Sequence, residues 1–542
     1  MNVAGAVGRT LVERGVRQVF GVVGSGNFHI TNAMVDAGAR FVATRHEGGA
    51  ATMTDAYSRM SGEVAALSVH QGCGLTNAMT GITEAAKSRT AMVVVAAQAT
   101  HPRSNFYVDQ AGLATAVGAV PITVDSAEDA IATAAGAVDI ARNQRRTVIL
   151  NVPIDIQGDD AGEWSIPDAD PAPAPMVPTE GDLARLVEAL ASAERPVFVA
   201  GRGARGPGAG PVLEELAAAI GALLATSAVA RGLFNRSEWS LDVSGGFSSP
   251  LAAELIGNAD LIVGWGCALN MWTMRRGRLI GDRARVIQVD DDPNAIGAQR
   301  PVAEGVVGDV RATAEAALGQ VDRPRSGYRS DGLREQIAAE VNWRDVPYRD
   351  DSTGDEIDPR TLSIALDDIL PKERIVSVDS GNFMGWPSMY LSVPDEYGFC
   401  FTQAFQSIGL GLGTAVGAAL AQPDRLPVAA IGDGGGLMSI AEMETVVRLG
   451  LPMVVAVYND SAYGAEVHHF GPEGHNLDIV EFPPTDIAAI ARGFGFDAVT
   501  VRGDADLQPV SDWVGGDRSK PLLIDAKITS HASWWLEEAF GH

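Results

Sequence analysis

Short unbroken apolar runs alternate along the chain with longer stretches in which apolar residues recur every three or four positions. The runs lie at residues 18–23, 40–44, 64–69 and 92–97, then at 197–200, 223–226, 261–265 and 286–289, and finally at 375–378, 428–431 and 453–458. Such runs predict strands buried on both faces, as in parallel sheets. The stretches at 4–14, 48–60, 75–88 and 413–421 predict helices, some amphipathic and some built of small residues that allow close helix approach. This alternation predicts an α/β fold of three doubly wound parallel-sheet domains, with ligands at the carboxyl ends of the strands. The domains are expected at 1–157, 181–320 and 357–542. A Pro/Ala/Asp-rich linker (158–180) separates the first two. A charged, irregular linker anchored by Trp343 and Tyr348 (321–356) separates the last two.

One unit carries more chemistry than the others. The run at 428–431 leads into Gly432-Asp433-Gly434-Gly435-Gly436, read as a turn stripped of side chains. Leu437, Ile440, Met443 and Val447 then recur at the spacing of a single helix, which Gly450 and Pro452 end. A second strand runs into Asn459-Asp460. Glycines let the backbone approach a diphosphate, and a helix start offers N–H groups to an anion. Consecutive parallel strands joined by a right-handed crossover bring their carboxyl ends together. Asp433 and Asp460 would therefore meet, and two hard oxygen ligands beside a diphosphate suit Mg²⁺.

Composition narrows the partners. The 542 residues are 46% hydrophobic and 20% charged, with a net charge of −27. A length of this order suits about three domains of ~150–200 residues. The charge disfavours nucleic acid and anionic membrane as partners. Cys73, Cys267 and Cys400 are unpatterned, which argues against a disulfide framework or a cysteine metal cluster. The N-terminus has no basic region followed by a long apolar run, and no apolar stretch is long enough to span a bilayer. A cytoplasmic enzyme is the expectation.

The Gly-Asp-Gly motif followed, after roughly 25 residues, by an Asn-containing pair resembles the signature of thiamine-diphosphate-dependent 2-oxo acid decarboxylases and carboligases. The family usually has Asn-Asn where this chain has Asn459-Asp460, so the register puts Asp460 on the ligand position. The third protein ligand would fall at Ala462, which can offer only its backbone carbonyl. The resemblance implies thiamine diphosphate and Mg²⁺ as cofactors, with Asp433, Asp460 and Ala462 on the metal. Gly432, Gly434, Gly435, Tyr463 and Gly464 would lie beside the cofactor. Ser380 and Asn382 stand in a stretch similar to the diphosphate-side loop. Ile408 falls where a bulky aliphatic residue wedges between the two cofactor rings, and the Gln406 carbonyl would accept from the 4′-amino group.

In the first domain, Arg45-His46-Glu47 resembles the surroundings of the family's activating glutamate. A carboxylic acid there hydrogen-bonds N1′ of the aminopyrimidine and promotes loss of the thiazolium C2 proton. His70 resembles the active-site histidine of benzoylformate decarboxylase-type members. Gln110 resembles a glutamine that faces the cofactor in acetolactate synthase-like and benzaldehyde lyase-like members. His468 and His469 could also touch substrate, although paired histidines on a polar helix face are more often solvent-exposed; His29 is a weaker candidate, because related carboligases carry their loop histidine three positions earlier, where this chain has Gly26. FAD in the middle domain, implied by the resemblance to acetolactate synthase, is the less favoured alternative; its weak supports are the Gly264-Trp265-Gly266-Cys267 turn after a strand, Arg275-Arg276 and, more loosely, Gly201–Gly206.

The resemblance also implies that the first and third domains sharing a cofactor come from different subunits, giving a homodimer or homotetramer. Trp534 and Trp535 near the C-terminus are expected to pack on a subunit or cover the site entrance. The leading expectation is decarboxylation of a small-molecule 2-oxo acid with transfer of the acyl anion to an aldehyde or ketone acceptor, as in acetolactate synthase. The alternative is a non-ligating decarboxylase of benzoylformate type. A non-catalytic homologue would have lost Glu47 or Asp433, and neither is lost. A plain NAD-linked oxidoreductase leaves the first and third domains unexplained.

Overall fold

The computed structural model describes residues 1–321, 323–533 and 535–536. Among the described residues eighteen strands form three six-stranded sheets, and every pairing between these strands is parallel. The first sheet contains β1 (Gln18–Gly21), β2 (Arg40–Ala43), β3 (Ala65–Val69), β4 (Met92–Gln98), β5 (Val120–Thr123) and β6 (Thr147–Pro153), in the order β2-β1-β3-β4-β6-β5. The second contains β7 (Pro196–Ala200), β8 (Leu223–Thr226), β9 (Ser240–Val243), β10 (Leu261–Trp265), β11 (Arg285–Asp290) and β12 (Glu304–Val307), in the order β12-β11-β10-β7-β8-β9. The third contains β13 (Arg374–Val378), β14 (Phe399–Phe401), β15 (Leu426–Gly432), β16 (Val454–Asn459), β17 (Asp497–Val501) and β18 (Leu522–Lys527), in the order β14-β13-β15-β16-β18-β17.

The central strands β3, β7, β10, β13, β15 and β16 are buried at every position. That is why they read as continuous apolar runs. The three sheets agree with the architecture expected from the sequence.

Two readings need correction. The Gly-rich segment is not a turn before one helix: Asp433–Met438 is itself helical, and a second helix, Glu442–Arg448, follows a break. Leu437 and Met438 are 38% and 56% exposed, so the helical face inferred through Leu437 is not a packed one. Residues 321–356 are not wholly irregular either. They include the helix Asp331–Glu340, capped by the Ser330 side chain, which accepts from the Leu333 N–H. Ile337 and Val341 from this region join the middle-domain core beside Val197 and Leu223. Trp343 and Tyr348 do act as anchors. Trp343 Nε1 donates to the Phe247 carbonyl at 2.7 Å, and Tyr348 Oη lies 2.9 Å from Thr361 Oγ1.

Within this chain the helices Glu47–Ser61 and Gly411–Ala421 pack closely. A Cβ on Gly417 would stand 2.2 Å from the Met53 carbonyl oxygen, so only glycine permits this approach. Thr52 and Gly413 meet in the same contact. One apolar core runs across it, from Phe20, Leu67 and Ile82 to Leu412, Ile431 and Val457.

Candidate active site

β13, β15 and β16 are neighbours in the third sheet, and an aspartate leaves the carboxyl end of each. Asp379 follows β13, Asp433 follows β15, and Asp460 follows β16. Asp379 is fully buried, and its carboxylate accepts from the Ser380, Gly409 and Leu410 N–H groups. Burial pushes it up to about 6 in spite of these bonds. Its role is to fasten the 406–410 loop to the strand end. Gln406 in that loop has φ 62°, a strained left-handed conformation for a non-glycine residue.

Beside this loop lies a cavity of about 470 Å³. Ser380, Asn382, Gln406, Ile408, Gly432, Asp433, Gly434, Gly435, Asp460, Ala462, Tyr463 and Gly464 all line it. All the residues proposed for the diphosphate half of a cofactor thus share one wall. Close packing explains the glycines: a Cβ on Gly434 would meet the Tyr463 ring at 2.6 Å, and one on Gly464 would meet Asp460 Oδ2 at 2.4 Å.

The Asn459-Asp460 pair splits its duties. Asn459 turns into the core, where its Nδ2 donates to Asp525 Oδ1 at 2.8 Å. Asp460 faces the cavity. Burial and then the Asp433 charge push Asp460 up to about 7, and burial pushes Asp433 up to about 6. Two carboxyls that resist ionising together form a donor set suited to a divalent cation, which would offset both charges. The size of the cavity, its glycine wall and this carboxyl pair fit a diphosphate with Mg²⁺. A separate acid–histidine group of the kind that can hold a divalent cation lies elsewhere. Asp351, Asp358 and His531 bring ligand atoms within 4.8 Å of one another, although Arg360 Nε already donates to Asp358 Oδ1 at 2.9 Å.

Glu47 opens its helix and does not line this cavity within the chain. Asn77 Nδ2 donates to Glu47 Oε2 at 3.1 Å. His70 stands nearby: a Cβ on Gly74 would be 3.1 Å from His70 Cβ and 3.5 Å from Glu47 Oε1. His70 Nδ1 accepts the Gly26 N–H at 3.2 Å, and its ring meets Phe106 edge to face at 5.2 Å. Burial lowers its pKa against the opposing pull of Glu47, which favours neutral imidazole. Gln110 is buried with both ends of its amide in use: Oε1 accepts from the Gly72 N–H, and Nε2 donates to Asn151 Oδ1 at 2.7 Å.

Of the remaining histidines, His29 sits edge to face with Phe28, and His468 Nε2 lies 3.4 Å from Ser530 Oγ. His469 packs on Phe470, their ring centroids 4.5 Å apart. The helix expected over the site is Gly464–Phe470, and its first residues line the cavity. In the middle domain, Gly201 and Gly203 press against Gly266, while Arg275 is held by the Gly245 carbonyl and by Ser248.

Several functional neighbours are not evident from the sequence. Glu442 accepts the Arg45 and His46 N–H groups at 3.0 and 2.9 Å and so holds the start of the Glu47 helix. The C-terminal segment hangs on Asn382. That residue's Nδ2 donates to the His531 carbonyl, its Oδ1 accepts the Ser533 N–H, and its carbonyl accepts from Ser533 Oγ and Trp535 Nε1. Trp535 thereby reaches the cavity wall, edge to face with Trp272. Trp534 lies outside the described residues. The adjacent tryptophans were the only signal for this arrangement.

Comparison with known proteins agrees with this geometry. Family models describing the N-terminal thiamine pyrophosphate binding domain, the central domain and the C-terminal thiamine pyrophosphate binding domain of thiamine pyrophosphate enzymes match residues 1–117, 183–317 and 379–526. The acetolactate synthase isozyme 2 large subunit of Escherichia coli (strain K12) is 27% identical, over 86% of this chain and 84% of its own. A probable 2-ketoarginine decarboxylase of Pseudomonas aeruginosa is 29% identical, over 85% of this chain and 82% of its own. The structure of a thiamine diphosphate-dependent 4-hydroxybenzoylformate decarboxylase from Rhodococcus jostii RHA1 shares the fold with a TM-score of 0.82 at 24% identity, covering 98% of this chain and all of that one. No helix among the described residues is long and apolar enough to cross a membrane. The chain belongs to the thiamine pyrophosphate enzyme family, as a thiamine-diphosphate-dependent enzyme of its decarboxylase and lyase–transferase class.

Proposed function

We propose that the protein decarboxylates a 2-oxo acid and releases the aldehyde without ligating it to a second carbonyl. This reverses the order of the two expectations from sequence. The observation that carries the reading is the setting of His70, which stands near Glu47 with its Nδ1 already engaged. Because Nδ1 of neutral His70 accepts the Gly26 N–H, its proton sits on Nε2, available to the product carbon after CO₂ leaves. A ligating enzyme must withhold such a proton until an acceptor arrives. The similarity to named decarboxylases supports the same choice.

Thiamine diphosphate, when bound, supplies the nucleophilic carbon and the electron sink. In our reading Asp433, Asp460 and the Ala462 carbonyl would hold Mg²⁺, the 432–435 segment would hold the diphosphate, and the Ile408 side chain would pack against the cofactor. Glu47 keeps a proton at the aminopyrimidine. Glu47 is not among the residues that line the cavity of its own chain, so a second copy supplies it and the working unit is at least a dimer. The test is a panel of aliphatic and aromatic 2-oxo acids, each with and without an added aldehyde, with products identified by mass. Free aldehyde as the sole product supports the proposal. Hydroxyketone as the main product with any donor returns carboligation to first place.

A further inference from the structure

Three arginines meet where the domains join. Arg59 comes from the helix Glu47–Ser61, and Arg202 and Arg205 come from the turn after β7. They border a void of about 10 Å³, and the rest of its wall is neutral: Met60, Val229, Cys400 and two phenylalanines. Burial pushes the Cys400 thiol up to about 12, so it stays protonated and uncharged.

The charges around the void do not balance. Arg59 is well satisfied: Nε and Nη2 donate to Asp55, Nη2 also to Glu84, and Nη1 to the Phe401 carbonyl. Burial works against its charge, but Asp55 and Glu84 hold its pKa above the ordinary value. Both nearby carboxylates hydrogen-bond Arg59 and act on Arg202 only from farther away.

Arg202 donates through Nη1 to the Ser88 carbonyl, and its buried Nε has no partner. Arg205 makes only long contacts, to the Val229 and Arg59 carbonyls at 3.5 and 3.4 Å and to Met60 Sδ at 3.7 Å. Its Nε is likewise buried and unpartnered. Its guanidinium also lies 4.9 Å from the centre of the Tyr397 ring. Among the described residues no carboxylate comes within ion-pair distance of Arg202 or Arg205; Glu396 acts on Arg205 only from farther away.

We propose that this void holds a monovalent anion of halide size, chloride, between Arg202 and Arg205. The volume admits one small occupant, a water molecule or a halide, and excludes a phosphate or a nucleotide. Water could meet the orphaned Nε–H groups, but the three guanidiniums would still face only the Asp55 and Glu84 carboxylates, which leaves one buried positive charge uncompensated, a costly arrangement. A halide meets both needs. Burial, which pushes Arg202 down to about 9, is then offset by the ion. The site ties the first domain to the middle one through a bound ligand that is not a substrate.

The test uses the holoenzyme. Crystals of wild type soaked in sodium bromide should show an anomalous bromine peak within hydrogen-bond distance of Arg202 Nε and Arg205 Nε. In solution, Tm should climb with sodium chloride, each tenfold rise above half-saturation adding a constant step, and should not climb with sodium gluconate at matched ionic strength. Arg205→Met should abolish the chloride-specific step. A wild-type map with no bromine at this position, or an equal rise in gluconate, overturns the proposal. Both readouts stand on wild type alone should Arg205→Met not fold.

Discussion

The carboxyl groups of this enzyme are tuned by where the strands end. Glu47 is expected to be indispensable to turnover but not to cofactor retention. Glu47→Gln should lower kcat by about 10²–10⁴-fold, while the thermal shift produced by thiamine diphosphate with Mg²⁺ stays as in wild type. A variant that keeps full activity would remove the proton role assigned here. Asp460 gives a pH-dependent prediction. Its folded pKa, about 7, lies above the ordinary carboxylate value, so without metal the folded state binds the proton more tightly than the unfolded chain does. Stability of the metal-free protein is then lost as pH rises through 7. Asp460→Asn should stabilise the metal-free protein by roughly 1–3 kcal/mol at pH 8, less as the pH falls towards 5. Adding Mg²⁺ with thiamine diphosphate at pH 8 should reverse the order, because only wild type gains the ligand. A Tm difference that does not change with pH would contradict the assignment.

At the scale of elements, the start of the Glu47 helix rests on a residue nearly four hundred positions away. The buried Glu442 carboxylate takes two backbone N–H groups just ahead of that helix, and its other oxygen accepts from the Thr445 hydroxyl at 2.6 Å. Glu442→Ala should cost about 2–3 kcal/mol in urea unfolding by orphaning these donors, and should lower kcat through a misplaced Glu47. Glu442→Gln, which keeps an acceptor oxygen, should recover most of both losses. No local sequence pattern announces this contact. The parallel strands were legible because burial on both faces writes them as apolar runs. The helix break at 439–441 was not, since Leu437 and Ile440 mimic a continuous stripe while packing elsewhere decides the bend. The helix Asp331–Glu340 left a weaker trace, with Ser330 as its cap and only Leu333, Ile337 and Val341 on its apolar side. The cavity wall was largely readable from the family resemblance, whereas Trp272 and Glu442 reach the site or its supports through tertiary packing alone.

For the whole molecule, the separation of Glu47 from the cavity in its own chain leads to a complementation experiment. Glu47→Gln and Asp433→Asn homomers should each be nearly inactive. After the two are unfolded together and refolded, mixed dimers should carry one intact site of two, so that equal mixing returns about a quarter of wild-type activity for a symmetric dimer. Recovery no greater than the sum of the parents would place both residues of a site in one polypeptide. The attachment of the C-terminal segment to Asn382 has a different consequence. Asn382 borders the cavity, yet its amide is occupied by residues 531–533, and Trp535 closes on its carbonyl. Proteolytic trimming just beyond β18 would therefore leave all three sheets intact and still change the shape of the reaction chamber. A preparation nicked at this end could pass every check of folding while its choice among substrates had already shifted.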